Sequence, residues 1–91
     1  MTYSAIKHDS KNSQFQMNVN GKIALIDYTK RNGKLYLVHS EVPKKLQGQG
    51  IGKILVEKTF EYIEQQGWEA VAVCPFIKSV AKRSSKSMSK F

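Results

Sequence analysis

Ninety-one residues, 41% hydrophobic and 24% charged, are enough for one small globular domain and too few for a second, and the balance excludes a low-complexity or disordered chain. No run approaches the ~18 uninterrupted apolar residues of a membrane span, and no basic segment is followed by an apolar stretch near the start, so a cytoplasmic protein without membrane contact is expected. The formal charge of +8 is uneven: Lys78, Lys82, Arg83, Lys86 and Lys90 stand without an acid, whereas residues 1–77 hold ten basic and seven acidic side chains.

Taken in order, residues 1–13 have little apolar pattern beyond Tyr3 and Ile6 and read as a loose start. Phe15, Met17 and Val19 then alternate with Gln14, Gln16 and Asn18, the period of a half-buried strand. Asn20-Gly21 is the preferred pair for a type I′ hairpin turn, and Lys22 to Thr29 supplies the returning strand. A second turn at Arg31-Asn32-Gly33 leads to a third strand, Lys34 to Val42, completing an antiparallel meander. Strict alternation puts Leu35, Leu37, His39 and Glu41 on one face and Tyr36, Val38, Ser40 and Val42 on the other. Pro43 cannot donate to a ladder and ends the strand.

From Gly50 to Gln66 the apolar period becomes helical, and Gly67 stops the helix as a C′ residue. The following run Ala70-Val71-Ala72-Val73-Cys74 is apolar throughout, which predicts a strand covered on both faces and lying parallel to the third. Such a crossover is right-handed, so the start of the helix and the C-terminal ends of both parallel strands meet at one edge, where open α/β sheets bind ligands. Phe76 to Arg83 reads as a short closing helix and residues 84–91 as a solvated basic tail. The expected fold is a single α/β (α+β) domain over 1–91: a three-strand antiparallel meander, a glycine-loop helix, a strand parallel to the third and a short C-terminal helix.

The stretch Val42-Pro43-Lys44-Lys45-Leu46-Gln47-Gly48-Gln49-Gly50-Ile51-Gly52-Lys53 joins strand to helix and has the chemistry of an anion cradle. Its glycines let a ligand approach the main chain, and the first helical turn offers N–H groups without partners together with the positive end of the helix dipole. Spacing excludes two familiar phosphate loops. A dinucleotide fingerprint needs glycine where Lys53 stands. A Walker A loop needs glycine at Gln47 and a hydroxyl at Ile54.

The remaining pattern, Gln47-x-x-Gly50-x-Gly52, resembles the acetyl-CoA pyrophosphate loop of the GNAT superfamily of N-acetyltransferases. With the Ser40-Glu41-Val42-Pro43 lead-in and Val73-Cys74-Pro75-Phe76 after the helix, the resemblance points to the small YJDJ-type branch and runs from about Gly33 to Ile77. It implies that the main chain of Gln47, Gly48, Gln49, Gly50, Ile51, Gly52 and Lys53 holds the pyrophosphate. It also implies that main chain near Glu41 and Val42 bonds the pantetheine arm where the two parallel strands splay apart.

His39, Glu41 and Cys74 are brought to the same edge, and each has chemistry suited to acyl transfer. Glu41 can take the proton of an amine, directly or through water. His39 can act as base or hold Glu41 in place. Cys74, held extended before Pro75, can attack a thioester, protonate a departing thiolate or simply finish a buried strand. As the chain's one cysteine it allows neither an internal disulfide nor a cysteine-based zinc site, and no metal is expected. The resemblance therefore implies an acetyl-CoA-dependent transferase acting on the primary amine of a small molecule or protein, as a monomer or weak dimer. Two alternatives stay open: a CoA-binding module without catalysis, and a small basic nucleic-acid-binding domain stacking bases on Tyr28, Tyr36 and Trp68.

Overall fold

The chain folds around two tight turns of the same kind. Asn20 and Gly21 have φ 51° and 84°, Asn32 and Gly33 have φ 51° and 76°, and each pair joins strands whose last residues face one another, Val19 to Lys22 and Arg31 to Lys34. Two successive left-handed residues match the right-handed twist of the flanking strands, which is why Asn-Gly occupies both sites. A computed structural model describes residues 3–83, and the expected tail over 84–91 lies outside the described residues.

The elements are β1 (Lys7–Asp9), β2 (Gln14–Val19), β3 (Lys22–Arg31), β4 (Lys34–Glu41), a 3-10 turn (Lys44–Leu46), α1 (Ile51–Gln65), β5 (Glu69–Ala72) and α2 (Pro75–Arg83). They form one sheet in the order β1-β2-β3-β4-β5, antiparallel up to β4, with β5 parallel to β4. The meander, the glycine-loop helix, the parallel strand and the closing helix are as the sequence predicts. No described helix is long and apolar enough to cross a membrane.

The start of the chain is more ordered than its composition suggests. Lys7–Asp9 adds a fourth antiparallel strand at the sheet edge, with His8 opposite Phe15. The His8 ring stacks on Phe15 at 4.7 Å, lies near Tyr62 and Trp68, and brings Nε2 to 2.7 Å from the Tyr28 hydroxyl. These partners come from β2, β3, α1 and the approach to β5, so no local period announces the strand.

Among the described residues, one face of the sheet is covered and the other is open. Phe15, Met17, Val19, Ala24, Ile26, Leu35, Leu37, Ala70 and Ala72 are buried beneath Leu55, Val56, Phe60 and Ile63 of α1 and Ile77 and Val80 of α2. α1 packs on β3 and β5, α2 on β4 and β5, and the helices touch one another. Each large side chain so enclosed contributes about 1.5–3 kcal/mol. On the other face Ile23, Val38 and Val73 are exposed. The expectation that the strand after the helix is covered on both faces is therefore corrected: β5 is a sheet edge with its alanines inward.

A β-bulge corrects a second expectation. Tyr28 faces Leu37 but Asp27 faces His39, so Val38 is an extra residue on β4. One extra residue exchanges the faces of everything beyond it. Ser40 consequently lies opposite buried Ile26 on the helix side with Leu35 and Leu37, while His39 and Glu41 pair with Asp27 and Leu25 on the open side. His39 and Glu41 do share a face, but not with Leu35 and Leu37.

α1 ends with two bonds that explain its length: the Gly67 N–H donates to Glu64 at 3.0 Å and the Trp68 N–H to Ile63 at 3.1 Å. This is the paired C-terminal cap expected of glycine at C′. It turns the chain directly into β5 and fixes Trp68 beside His8.

Burial pushes the His8 imidazole below its ordinary value, with the Asp9 carboxylate opposing part of the shift. The unfolded chain takes up a proton near pH 6.5 while the folded protein resists it, so stability falls as pH drops from about 6.5 through the folded value. Thermal melts should show a declining midpoint between about pH 7 and pH 5, and His8→Phe should flatten that slope.

Candidate functional site

The loop after β4 uses its own side chains to bind its own carbonyls. Gln47 Nε2 donates to the Val42 carbonyl at 3.1 Å and Gln49 Nε2 to the Lys45 carbonyl at 3.2 Å. The 3-10 turn is closed by Leu46 N–H donating to Pro43 at 2.8 Å and anchored by the buried Leu46 side chain. The donors that follow are left over. Gly50 is the N-cap of α1 in the left-handed region, with φ 78°, and supplies no side-chain cap. Ile54 is the first residue whose N–H closes the helix, onto Gly50 at 3.2 Å, and among the described residues the N–H groups of Gly48 to Lys53 donate to nothing.

Helix N-termini ordinarily carry an acid in the first turn, which complements the dipole. α1 has none there and carries Lys53 instead. Its mouth thus favours an anion from outside the chain.

The loop carrying these donors borders a groove of about 400 Å³ lined by Ser40, Val42, Leu46, Gln47, Gly48, Gly50, Ile51, Gly52, Lys53 and Phe76. Of the residues expected to contact a ligand here, Val42, Gln47, Gly48, Gly50, Ile51, Gly52 and Lys53 line the groove. Gln49 turns its side chain to Lys45, and Glu41 lies on the opposite face. The groove adds Ser40, Leu46 and Phe76. Phe76, at the first turn of α2, stands over Gly52: a Cβ placed on Gly52 would lie 2.8 Å from Phe76 Cζ. The motif Val73-Cys74-Pro75-Phe76 held this information, since a large apolar residue opening a helix at the ligand-binding edge has a place to fill there.

At the same edge β4 and β5 separate. Their pairing ends at Leu37 and Ala72, and the Leu37 carbonyl accepts from both Val73 and Cys74, at 3.0 and 3.1 Å. Beyond that point β4 runs on to Glu41 while Pro75 turns the chain into α2.

The three candidate catalytic side chains reach this edge on two faces. On the helix side, Cys74 Sγ is 4.0 Å from the hydroxyl of Ser40, which lines the groove; Cys74 is partly buried and packs against the core. On the open side, His39 Nε2 is 3.7 Å from Glu41 Oε1, with both side chains more than half exposed. The split between β4 and β5 lies between the two groups. Of the rings considered for stacking bases, Tyr28 is 8% exposed and has no free face. Among the described residues, no three His, Cys, Asp or Glu side chains are placed to hold a metal ion.

The meander, the crossover helix with an uncapped glycine mouth and the parted parallel strands are those of a GNAT-type domain, and the chain matches the GCN5-related N-acetyl-transferase family over residues 14–90. It belongs to that family. Among known proteins it is similar to Protein NATD1 of Xenopus tropicalis, with 28% identity across 83 residues, covering 87% of this chain and 75% of the relative. Protein NATD1 of Gallus gallus is 29% identical over 85 residues (87% and 74%), and that of Homo sapiens 28% over 85 residues (87% and 73%).

The packing of Phe76 on Gly52 can be isolated. Gly52→Ala should be close to neutral in urea unfolding, because displacing the ring offsets the helix propensity of about 0.5–1 kcal/mol that alanine gains over glycine. In a Phe76→Ala background the same substitution should stabilise by about 0.5–1 kcal/mol, so the double-mutant cycle should show the coupling.

Proposed function

We propose that the protein is an acetyl-CoA-dependent N-acetyltransferase acting on a primary amine. The observation that carries this reading is the run of unpartnered N–H groups from Gly48 to Lys53 bordering a groove that leads to the split between β4 and β5. Those donors and Lys53 suit a diphosphate, the apolar walls Val42, Ile51 and Phe76 suit a flexible arm, and free strand edges suit the amides such an arm carries.

Acetyl-CoA supplies an acetyl group activated as a thioester. The chain's contribution is position and proton transfer. The amine approaches from the open side of the sheet, where Glu41 takes its proton directly or through water, with His39 holding the carboxylate. The C–N bond forms as the C–S bond breaks, and the departing sulfur takes a proton from the Cys74 thiol relayed through the Ser40 hydroxyl, which gives one proton as it receives the other. Solvent then restores the protons.

The exposure of His39 and Glu41, 57% and 68%, favours a second reading, a CoA-binding module without turnover. Product formation over a panel of amines separates the two.

Isothermal titration should show acetyl-CoA binding at micromolar concentrations, and Gly50→Glu should abolish it by setting a carboxylate among the donors. Absence of binding to the unaltered protein would overturn the proposal. Glu41→Gln should leave binding intact and lower kcat by about 100-fold, the lower end of general-base contributions.

A further inference from the structure

The open face of the sheet carries opposite charges at its two ends. Toward the strand split, Asp27 and Glu41 lie in neighbouring positions with His39 between them; Asp27 accepts a hydrogen bond from Gln14 Nε2 at 2.9 Å and Glu41 is paired with His39. Toward the β3–β4 turn, Arg31 lies opposite Lys34, and Lys34 is itself 3.8 Å from Glu69 on β5. That pairing occupies the acid closest in register and leaves Arg31 as the cation without an ion pair at this end, among the described residues.

Between the two ends lies a cavity of about 360 Å³ lined by Thr29, Arg31, Asn32, Tyr36, Val38 and Val73. Arg31 contributes the one charge of its lining. Val38 and Val73 form its apolar end, where β4 and β5 part, and both are exposed, at 41% and 44%. Along β3, Arg31 lies four positions beyond Asp27, about 13 Å of strand.

We infer that this cavity selects an acceptor bearing both a primary amine and a carboxylate, with the amine toward Glu41 and Asp27 and the carboxylate on Arg31. The inference rests on the acetyltransferase reading and adds the substrate class. An ammonium arriving at Glu41 and Asp27 meets the charge that attracts it and the base that deprotonates it. The guanidinium of Arg31 presents a planar fork that fits a carboxylate, with the Thr29 hydroxyl and the Asn32 amide beside it. The stem joining the two groups passes Tyr36, Val38 and Val73, which suits a methylene chain. A plain alkylamine would leave Arg31 without a partner, and a diamine would meet it with like charge.

With saturating acetyl-CoA, 6-aminohexanoate and hexylamine should differ in kcat/KM by about tenfold in favour of the carboxylate, the size of a charge-assisted contact at a partly exposed site. Arg31→Gln, an exposed position whose change leaves the core untouched, should remove the difference by raising KM for 6-aminohexanoate with little change in kcat, and should leave hexylamine unaffected. A lysine peptide with a nearby glutamate, compared with its glutamine counterpart, distinguishes the source of the carboxylate. Arg31 dependence in the peptide assigns a protein acceptor, and dependence confined to 6-aminohexanoate assigns a small molecule.

Equal kcat/KM for the two amines, or a preference surviving Arg31→Gln, overturns the inference and leaves the acetyltransferase reading standing. Should neither amine nor the peptide be acetylated, that reading falls instead, and amide NMR with 6-aminohexanoate decides the site. Shifts at Thr29, Asn32 and Val73 that vanish in Arg31→Gln support it, and their absence overturns it.

Discussion

The Leu37 carbonyl receives two N–H groups, from Val73 and from Cys74, and the organisation of the site follows from that fork. A carbonyl has two lone pairs and can end a ladder by accepting twice. β5 is spent at this point and Pro75, which has no N–H to offer, starts α2. β4 continues to Glu41 with β3 on one side and, among the described residues, no strand on the other. Main-chain groups left unpaired beside a hydrophobic core are costly unless water or a ligand meets them. The bulge at Val38 falls at the same level, so the place where the sheet opens is also where β4 exchanges its faces. The groove side thereby receives Ser40, and the open side receives His39 and Glu41.

The mouth of α1 depends on a similar economy of partners. Gln47 and Gln49 could have capped the helix with their carboxamide oxygens, but both direct their amide nitrogens to carbonyls of the preceding turn. Net charge does not explain the preference for an anion here. Much of the +8 follows residue 77, and exposed charges are screened beyond about 8 Å in physiological salt. Short-range N–H donors and the local charge of Lys53 decide the chemistry, and the remaining cations affect encounter more than recognition.

Local chemistry made much of the fold legible. Asn20-Gly21, Asn32-Gly33, Pro43 and Gly67 each act through a backbone constraint that needs no tertiary partner, and the strands and helix they bound lie within two residues of expectation. The left-handed glycine turn before α1 was legible for the same reason: its shape is carried by glycine spacing. Three features escaped because they depend on distant contacts. The edge strand around His8 exists through rings contributed by β2, β3, α1 and the residue preceding β5. The bulge at Val38 leaves no mark in a run of ordinary strand residues, and alternation counted through it assigns the wrong faces beyond it. The alternating small and branched residues of Ala70 to Val73 read equally well as a strand buried twice or once; the absence of a helix over the open face, among the described residues, decides it.

A sheet covered on one side has a consequence for specificity. On the acetyltransferase reading proposed above, the helix side is committed to the core and the groove, so an acceptor is read by the open face, where the described side chains come from β3, β4 and β5. Such a surface is shallow, and apolar contact over Val38 and Val73 discriminates weakly, by about 1–3 kcal/mol per group at most. Charge placement supplies what shape does not. Asp27 and Glu41 at one end and Arg31 at the other define a direction along the strands, and a direction distinguishes molecules of similar size by where their charges sit. The register that sets Arg31 opposite Lys34 fixes one end and the bulge that sets His39 opposite Asp27 fixes the other, so the spacing between the two charged ends is determined by the backbone of β3 and β4.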